Sequence, residues 1–181
     1  ATLEDTNVLP AVNLTWLANK EQQVRLAYSK TVNRPQLREL ADVQYLDSET
    51  RYISFGNPSL QQAEIDNYDL RFEQYWSSSQ AVSLALFYKN FKNPIEATIQ
   101  SDSSGRAIRS FVNSSSAKDY GVELDGRYGL DALKDFSPLF SQIYVAGNFS
   151  YIESEVDLPN GGSRKLQGQS PYIINFTLGY S

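Results

Sequence analysis

The 181-residue chain carries 16 basic against 21 acidic residues, a net charge of −5 and a pI near 4.8, which leaves no electrostatic footprint for nucleic acid. It contains no cysteine and no histidine, so disulfides, thiolate metal sites, cysteine nucleophiles and the commonest general base are excluded. A hydrophobic fraction of 41% is enough for a core, while a mean hydropathy of −0.43 and the lack of any long apolar run exclude a transmembrane helix without bearing on an alternating barrel strand.

The first alternation covers residues 9–17, with Val12, Leu14 and Trp16 on one side and Ala11, Asn13 and Thr15 on the other. After the polar turn Asn19-Lys20-Glu21-Gln22, a second strand sets Val24, Leu26 and Tyr28 against Arg25, Ala27 and Ser29 and runs on towards Asn33. Arg34-Pro35 ends it. Residues 34–63 then form a long connection holding Arg38, Arg51 and a Gly56-Asn57-Pro58 turn, and connections of this length are functional or disordered. Residues 65–90 read as one complete hairpin. If Trp76 pairs with Gln80 across Ser77-Ser78-Ser79, then Phe72 faces Leu84, Leu70 faces Leu86 and Tyr68 faces Tyr88, while Asp69, Arg71, Glu73 and Lys89 share the opposite face.

Residues 91–99 read as an extension of the hairpin's second strand, and residues 101–116 as a second long connection. A fifth strand follows, with Tyr120, Val122, Leu124 and Tyr128 alternating against the charged Asp119, Glu123, Asp125 and Arg127. A helical turn is expected near residues 131–134. The sixth strand alternates Ile143, Val145, Phe149 and Tyr151 with Tyr144, Ala146, Asn148 and Ser150, and residues 156–170 form a third long connection with Asn160-Gly161-Gly162 at its tip. The seventh strand places Ile174, Phe176, Leu178 and Tyr180 on one face.

The expected fold class is therefore all-β, an antiparallel up-and-down meander of about seven strands. Its connections run short, long, short, long, medium, long, the medium one over residues 129–142, so every long one falls at one end, the asymmetry of outer-membrane barrels. On that reading Tyr68, Leu70, Phe72, Leu84, Leu86 and Tyr88 face lipid, and Asp69, Arg71, Glu73, Lys89, Asp119, Glu123, Asp125 and Arg127 line a wet lumen. The rival is a soluble all-β binding module, carbohydrate-directed, whose apolar faces pack sheet on sheet.

Several ordered segments carry a resemblance: Ala27-Tyr28-Ser29-Lys30-Thr31-Val32-Asn33-Arg34-Pro35, Arg38-Glu39-Leu40, Gly56-Asn57-Pro58, Asp66-Asn67-Tyr68-Asp69-Leu70-Arg71, Phe87-Tyr88-Lys89-Asn90-Phe91-Lys92-Asn93-Pro94-Ile95-Glu96, Gly121-Val122-Glu123-Leu124 and Gln167-Gly168-Gln169-Ser170-Pro171-Tyr172. Together they resemble the barrel of TonB-dependent outer-membrane receptors over nearly the whole chain. The resemblance implies a barrel of about twenty-two strands closed by an N-terminal plug domain. It implies import of a scarce nutrient, such as a ferric siderophore, cobalamin or glycan, with energy delivered through TonB, and no catalysis or cofactor. Residues 1–181 are then expected to be part of one barrel domain, an internal or C-terminally truncated piece without plug or TonB box, whose two edge strands make the isolated chain self-associate. Ala1 begins without a basic or apolar leader, so a signal peptide is expected to be absent or removed.

Each candidate has a plainer reading beside it. The lumen charges can bind substrate or the plug, yet any hydrated barrel wall carries such residues. Arg34, Arg38 and Arg51 in the first long connection can clamp an anionic siderophore or simply solvate the loop. Ser115-Ser116-Ala117-Lys118 spells the S-x-x-K of penicillin-recognising enzymes but lacks partner motifs. Glu153, Glu155 and Asp157 can hold calcium or form a charged loop. Trp16, Trp76, Tyr28, Tyr88 and Tyr180 can stack on sugars or mark a lipid interface.

Overall fold

The structure is a computed structural model and describes residues 6–46, 53–101, 103–105, 107–158 and 161–180. In chain order the elements are β1 (Ala11–Leu17), β2 (Gln22–Asn33), α1 (Leu37–Leu40), β3 (Gln44–Leu46), β4 (Ile53–Phe55), β5 (Ala63–Ser77), β6 (Gln80–Lys92), β7 (Ile95–Ser101), β8 (Ala107–Asn113), β9 (Ser116–Gly129), β10 (Ile143–Asp157), β11 (Ser163–Arg164) and β12 (Tyr172–Tyr180). Two 3-10 turns, Leu130–Leu133 and Pro138–Gln142, lie between β9 and β10. The first is the expected helical turn.

Seven strands form the wall as an antiparallel meander, in the order β1, β2, β5, β6, β9, β10, β12. The alternation of each strand is carried across its neighbours in strict register. One row reads Trp16, Val24, Phe72, Leu84, Leu124, Phe149, Ile174, apolar on all seven strands, and the next reads Leu14, Leu26, Leu70, Leu86, Val122, Tyr151, Tyr172. The expected partners Tyr68–Tyr88, Leu70–Leu86 and Phe72–Leu84 are found. Nothing among the described residues covers this face: Leu70 is 43% exposed, Leu86 48% and Phe176 75%. A sheet-on-sheet sandwich would bury these side chains, so the soluble alternative loses its core.

Aromatic residues frame the apolar band. Tyr28, Tyr68, Tyr88 and Tyr120 occupy one row, the first two with ring centroids 5.1 Å apart, and the belt continues one row lower at Tyr151 and Tyr172. That step is the stagger of tilted strands. At the other end stand Trp16, Trp76, Tyr128 and Tyr180. Within single strands the two belts are eight positions apart, at Tyr68 and Trp76, Tyr120 and Tyr128, and Tyr172 and Tyr180. At ~3.3 Å per residue and a tilt near ~40°, eight positions span about 20 Å of membrane normal, close to the ~25 Å apolar band of outer-membrane barrels.

Three expectations are corrected. Ser77, not Trp76, pairs with Gln80, and the register shifts between Tyr75 and Ser77, so Trp76 is an extra, bulged residue. The bulge permits a two-residue turn, Ser78-Ser79, tightened by the Ser79 amide donating to Ser77 Oγ at 3.2 Å. The strand after β5 does not extend to residue 99. It ends at Lys92, because Asn93 adopts a left-handed φ of 53° and Pro94 has no amide to donate, and Ile95 starts a strand of another sheet. Finally, the long connections are not open loops. They build a second sheet in the order β3, β4, β8, β7, with β7 and β8 an antiparallel hairpin and β4 meeting β8 in parallel at Ser54 and Arg109. The third connection adds β11, paired to the upper end of β10.

The buried apolar residues are Leu60, Ala63, Ile108, Phe111, Ala117 and Val156. All lie in this second layer or where it meets the strand ends. The core sits on top of the wall, not behind it.

Candidate functional site

The inner face of the wall follows from the same register. One row reads Gln23, Glu73, Ser83, Asp125, Asn148, Asn175, and the next places Arg25 directly opposite Arg71. Two facing arginines repel. Glu73, one row away, resolves this by binding both: Arg25 Nε lies 3.1 Å from Glu73 Oε2, and Arg71 Nε 3.2 Å from Glu73 Oε1. Arg71 Nη2 then reaches Asp125 Oδ2 at 3.2 Å and donates to Ser83 Oγ at 2.7 Å, whose hydroxyl donates to Asp125 at 3.1 Å. Gln23 Nε2 also donates to Glu73. Two positive and two negative charges thus close on themselves, and Glu73 is only 6% exposed on what would otherwise be an open wall.

Arg71, Glu73, Ser83, Asp125 and Arg127 line a recess of about 370 Å³ with Asn148 and Asn175 on its far side. Arg127 leaves the ion network and lies 3.9 Å over the Tyr144 ring. The structure therefore joins Arg71, Glu73 and Asp125 of the expected lumen charges. Lys89 sits nearer the mouth over the Phe87 ring, and Asp119 accepts from Gln169 Nε2 at 2.7 Å, tying the third connection to the wall. Asp69 and Glu123 have no ion-pair partner among the described residues. Arg25 and Ser83 were not singled out from sequence. Their signal was their place on the polar faces of the second and fourth wall strands, which identifies a facing direction but not a partner.

The mouth is held by backbone-directed side chains. Gly56 packs so close to Ala41 that an added Cβ would lie 2.2 Å from the Ala41 carbonyl oxygen. Beside it, the Asn57 amide donates to the Glu39 carbonyl at 2.6 Å and its Nδ2 to the Phe111 carbonyl at 2.9 Å. Asn113 bonds both main-chain groups of Gln61, its Oδ1 accepting at 2.8 Å and its Nδ2 donating at 2.9 Å, and Nδ2 also donates to the Asn93 carbonyl at 2.8 Å. Arg164 on β11 meets Glu96 on β7 at 2.6 Å, and Gln167 Nε2 donates to the Ala97 carbonyl at 3.2 Å. The Arg-Glu-Leu, Gly-Asn-Pro and Asn-Pro-Ile-Glu segments thus meet in one layer.

Arg34 and Arg38 are both exposed at the base of this layer, Arg34 just past β2 and Arg38 within α1, whose first turn is fixed by the Gln36 amide donating to Glu39 Oε2 at 2.9 Å. Arg51 lies outside the described residues, as does Asn160. Glu153, Glu155 and Asp157 lie on β10 and not in a loop, because that strand continues six residues past Tyr151 to pair with β9 and β11. Glu153 pairs with Lys165 at 3.1 Å and Asp157 accepts from Ser116 Oγ at 2.5 Å. Ser115, the serine of the S-x-x-K motif, lies in a bend immediately before β9 and not at the start of a helix, where that motif holds its serine in penicillin-recognising enzymes.

Solved structures share this fold. The siderophore receptor PirA from Pseudomonas aeruginosa superposes with a TM-score of 0.64 at 17% identity, over 97% of this chain and 36% of its own. PirA from Acinetobacter baumannii gives 0.65 at 19% identity, over 97% and 26%. The Pseudomonas aeruginosa ferric enterobactin receptor mutant Q482A, in complex with enterobactin, gives 0.65 at 18% identity, over 96% and 26%. The chain thus spans about a quarter to a third of these receptors. No curated protein matches its sequence. A family model described as TonB dependent receptor-like, beta-barrel, matches residues 1–181. This chain therefore belongs to the TonB-dependent receptor β-barrel family.

Proposed function

We propose that this chain forms part of the wall and mouth of a receptor that imports a ferric siderophore, with energy supplied through TonB and a plug domain seated against the inner face. The observation that carries this reading is the two-storey build: a wall apolar outside and ion-paired inside, capped at its long-connection end by a stapled layer with Arg34 and Arg38 free to water at its base. Siderophore receptors among the structural neighbours favour that ligand class over cobalamin or a glycan. Ferric siderophores are commonly anionic, and exposed guanidinium groups suit them.

The inner network serves first as a self-neutralised wall. Asp69 and Glu123, like Lys89 and Arg127 without ion-pair partners among the described residues, are groups left to meet plug or substrate. The free edges of β1 and β12 are places for further strands, and the isolated chain is expected to self-associate through them, which sedimentation without detergent measures. The function is tested by uptake of radioactive iron, presented as defined ferric siderophores, in cells with and without the full-length receptor. Uptake should require the receptor and should fall when Arg34 and Arg38 are both changed to Ala. Uptake of cobalamin or a glycan that depends on the receptor, with iron uptake unaffected, would overturn the assignment. Protease added to intact cells should cut within residues 34–63, 101–116 or 156–170 and spare residues 19–22.

A further inference from the structure

The outer face of the wall has one break in its lining. Along the row Gln22, Gln74, Val82, Gly126, Gly147, Phe176, two glycines stand directly opposite each other on β9 and β10, where neighbouring rows carry Leu124 with Phe149 and Tyr128 with Val145. The missing side chains leave a notch of about 440 Å³. Its floor is the Gly126–Gly147 backbone, its walls are Val82, Leu124, Phe149 and Phe176, and Trp76 and Tyr128 form its rim. Close packing does not explain Gly126, because a Cβ there would meet nothing within 4 Å. Its φ lies outside the left-handed range, so an L side chain would be unstrained.

We propose that this notch is a binding site for one acyl chain of a phospholipid in the periplasmic leaflet. The occupant follows from position. The notch is continuous with the lipid-facing band, its walls are aliphatic and aromatic, and its rim residues adjoin the two-residue turn after β5 and the connection of two 3-10 turns after β9, the end opposite the long extracellular connections. Trp76, bulged out of register and 56% exposed, stands where interfacial rings contact the glycerol and headgroup region. A notch of this volume, walled by ring and aliphatic side chains over bare backbone, gives one chain more contact than the fluid annulus does, so the receptor retains one lipid more firmly than the rest. The inference depends on the wall facing lipid and not on which ligand is imported.

The test is native mass spectrometry of the full-length receptor in mild detergent, titrated with phosphatidylethanolamine, together with a phosphatidylethanolamine bearing a photoreactive group in its acyl chain. Wild-type receptor should retain one phospholipid through activation that strips the remainder, and photocrosslinks should map to Trp76, Tyr128 and Phe176. A Cβ at Gly126 has open space, so Gly126→Leu directs its side chain into the notch and should lower retention about tenfold, the effect of losing roughly two buried methylenes; Gly126→Ala should fall between. Crosslinks spread evenly round the band, or equal retention by wild type and Gly126→Leu, would overturn the proposal. So would a receptor that holds no lipid but forms dimers crosslinked through the notch, which would make the occupant a second copy. The photocrosslinking is read on wild-type protein, so it decides the matter even if a variant folds poorly.

Discussion

The wall and the mouth are built on opposite rules. In the wall, large apolar side chains are exposed and small or charged ones point inward, and the backbone ladder, joined on the inner face by the ion network, holds seven strands together. In the mouth, Leu60, Ile108, Phe111 and Val156 are buried, and Asn57, Asn113 and Glu96 reach specific main-chain or charged partners. Their solvents account for the difference. Hydrocarbon neither competes for backbone hydrogen bonds nor needs to be excluded, so a lipid-facing position asks only for an apolar side chain. Water competes for every polar group, so the mouth needs a core and directed bonds to hold one conformation.

That contrast is most sharply broken by Phe111→Ala. Truncating this 7% exposed ring should destabilise the mouth layer by ~3–5 kcal/mol. Hydrogen exchange on the full-length receptor should show β7, β8 and residues 53–62 losing protection while the wall keeps its own. Uniform loss of protection through wall and mouth would show that the two regions fold as one unit.

Next in size is an asymmetry within the wall. Leu70→Arg places a charge in hydrocarbon and should cost ~2–4 kcal/mol in vesicle refolding titrations. Arg71→Leu on the adjacent position should cost only about 1 kcal/mol, because Glu73 keeps Arg25 and Gln23 while Asp125 is open to water. Equal costs would contradict the facing of the two residues.

Asn57→Ala removes the bond to the Phe111 carbonyl and should lower mouth stability by ~1–2 kcal/mol, seen as faster proteolysis in the first long connection at unchanged wall melting. The smallest effect belongs to Glu96→Gln, which keeps a hydrogen-bond acceptor for Arg164 but loses the charge. Arg164 is 30% exposed, so the cost is about 1 kcal/mol or less, and it should shrink further in high salt. A label on residue 166 should report looser docking of the third connection on β7.

Period-two alternation by itself determined the seven wall strands and which side chains share the exposed apolar face, and together with the turn and the connection lengths it gave the pairing of Tyr68 with Tyr88 and the end that carries the long connections. A one-residue slip would turn every apolar side chain of a strand towards the lumen, so alternation admits only registers of one parity, and the length of the turn selects among them. Tertiary structure alone decided what has no period. The bulge at Trp76 depends on a turn that closes with two residues instead of three, a choice between Ser77 and Trp76 as partner for Gln80 that alternation does not make. The second sheet depends on contacts between segments about fifty residues apart, such as Asn57 with Phe111, which leave no local pattern. The inner ion network likewise needed the strand order, because Arg25, Arg71, Glu73 and Asp125 come from β2, β5 and β9, and only the placing of β5 and β6 between the other two brings these charges into one row of contacts.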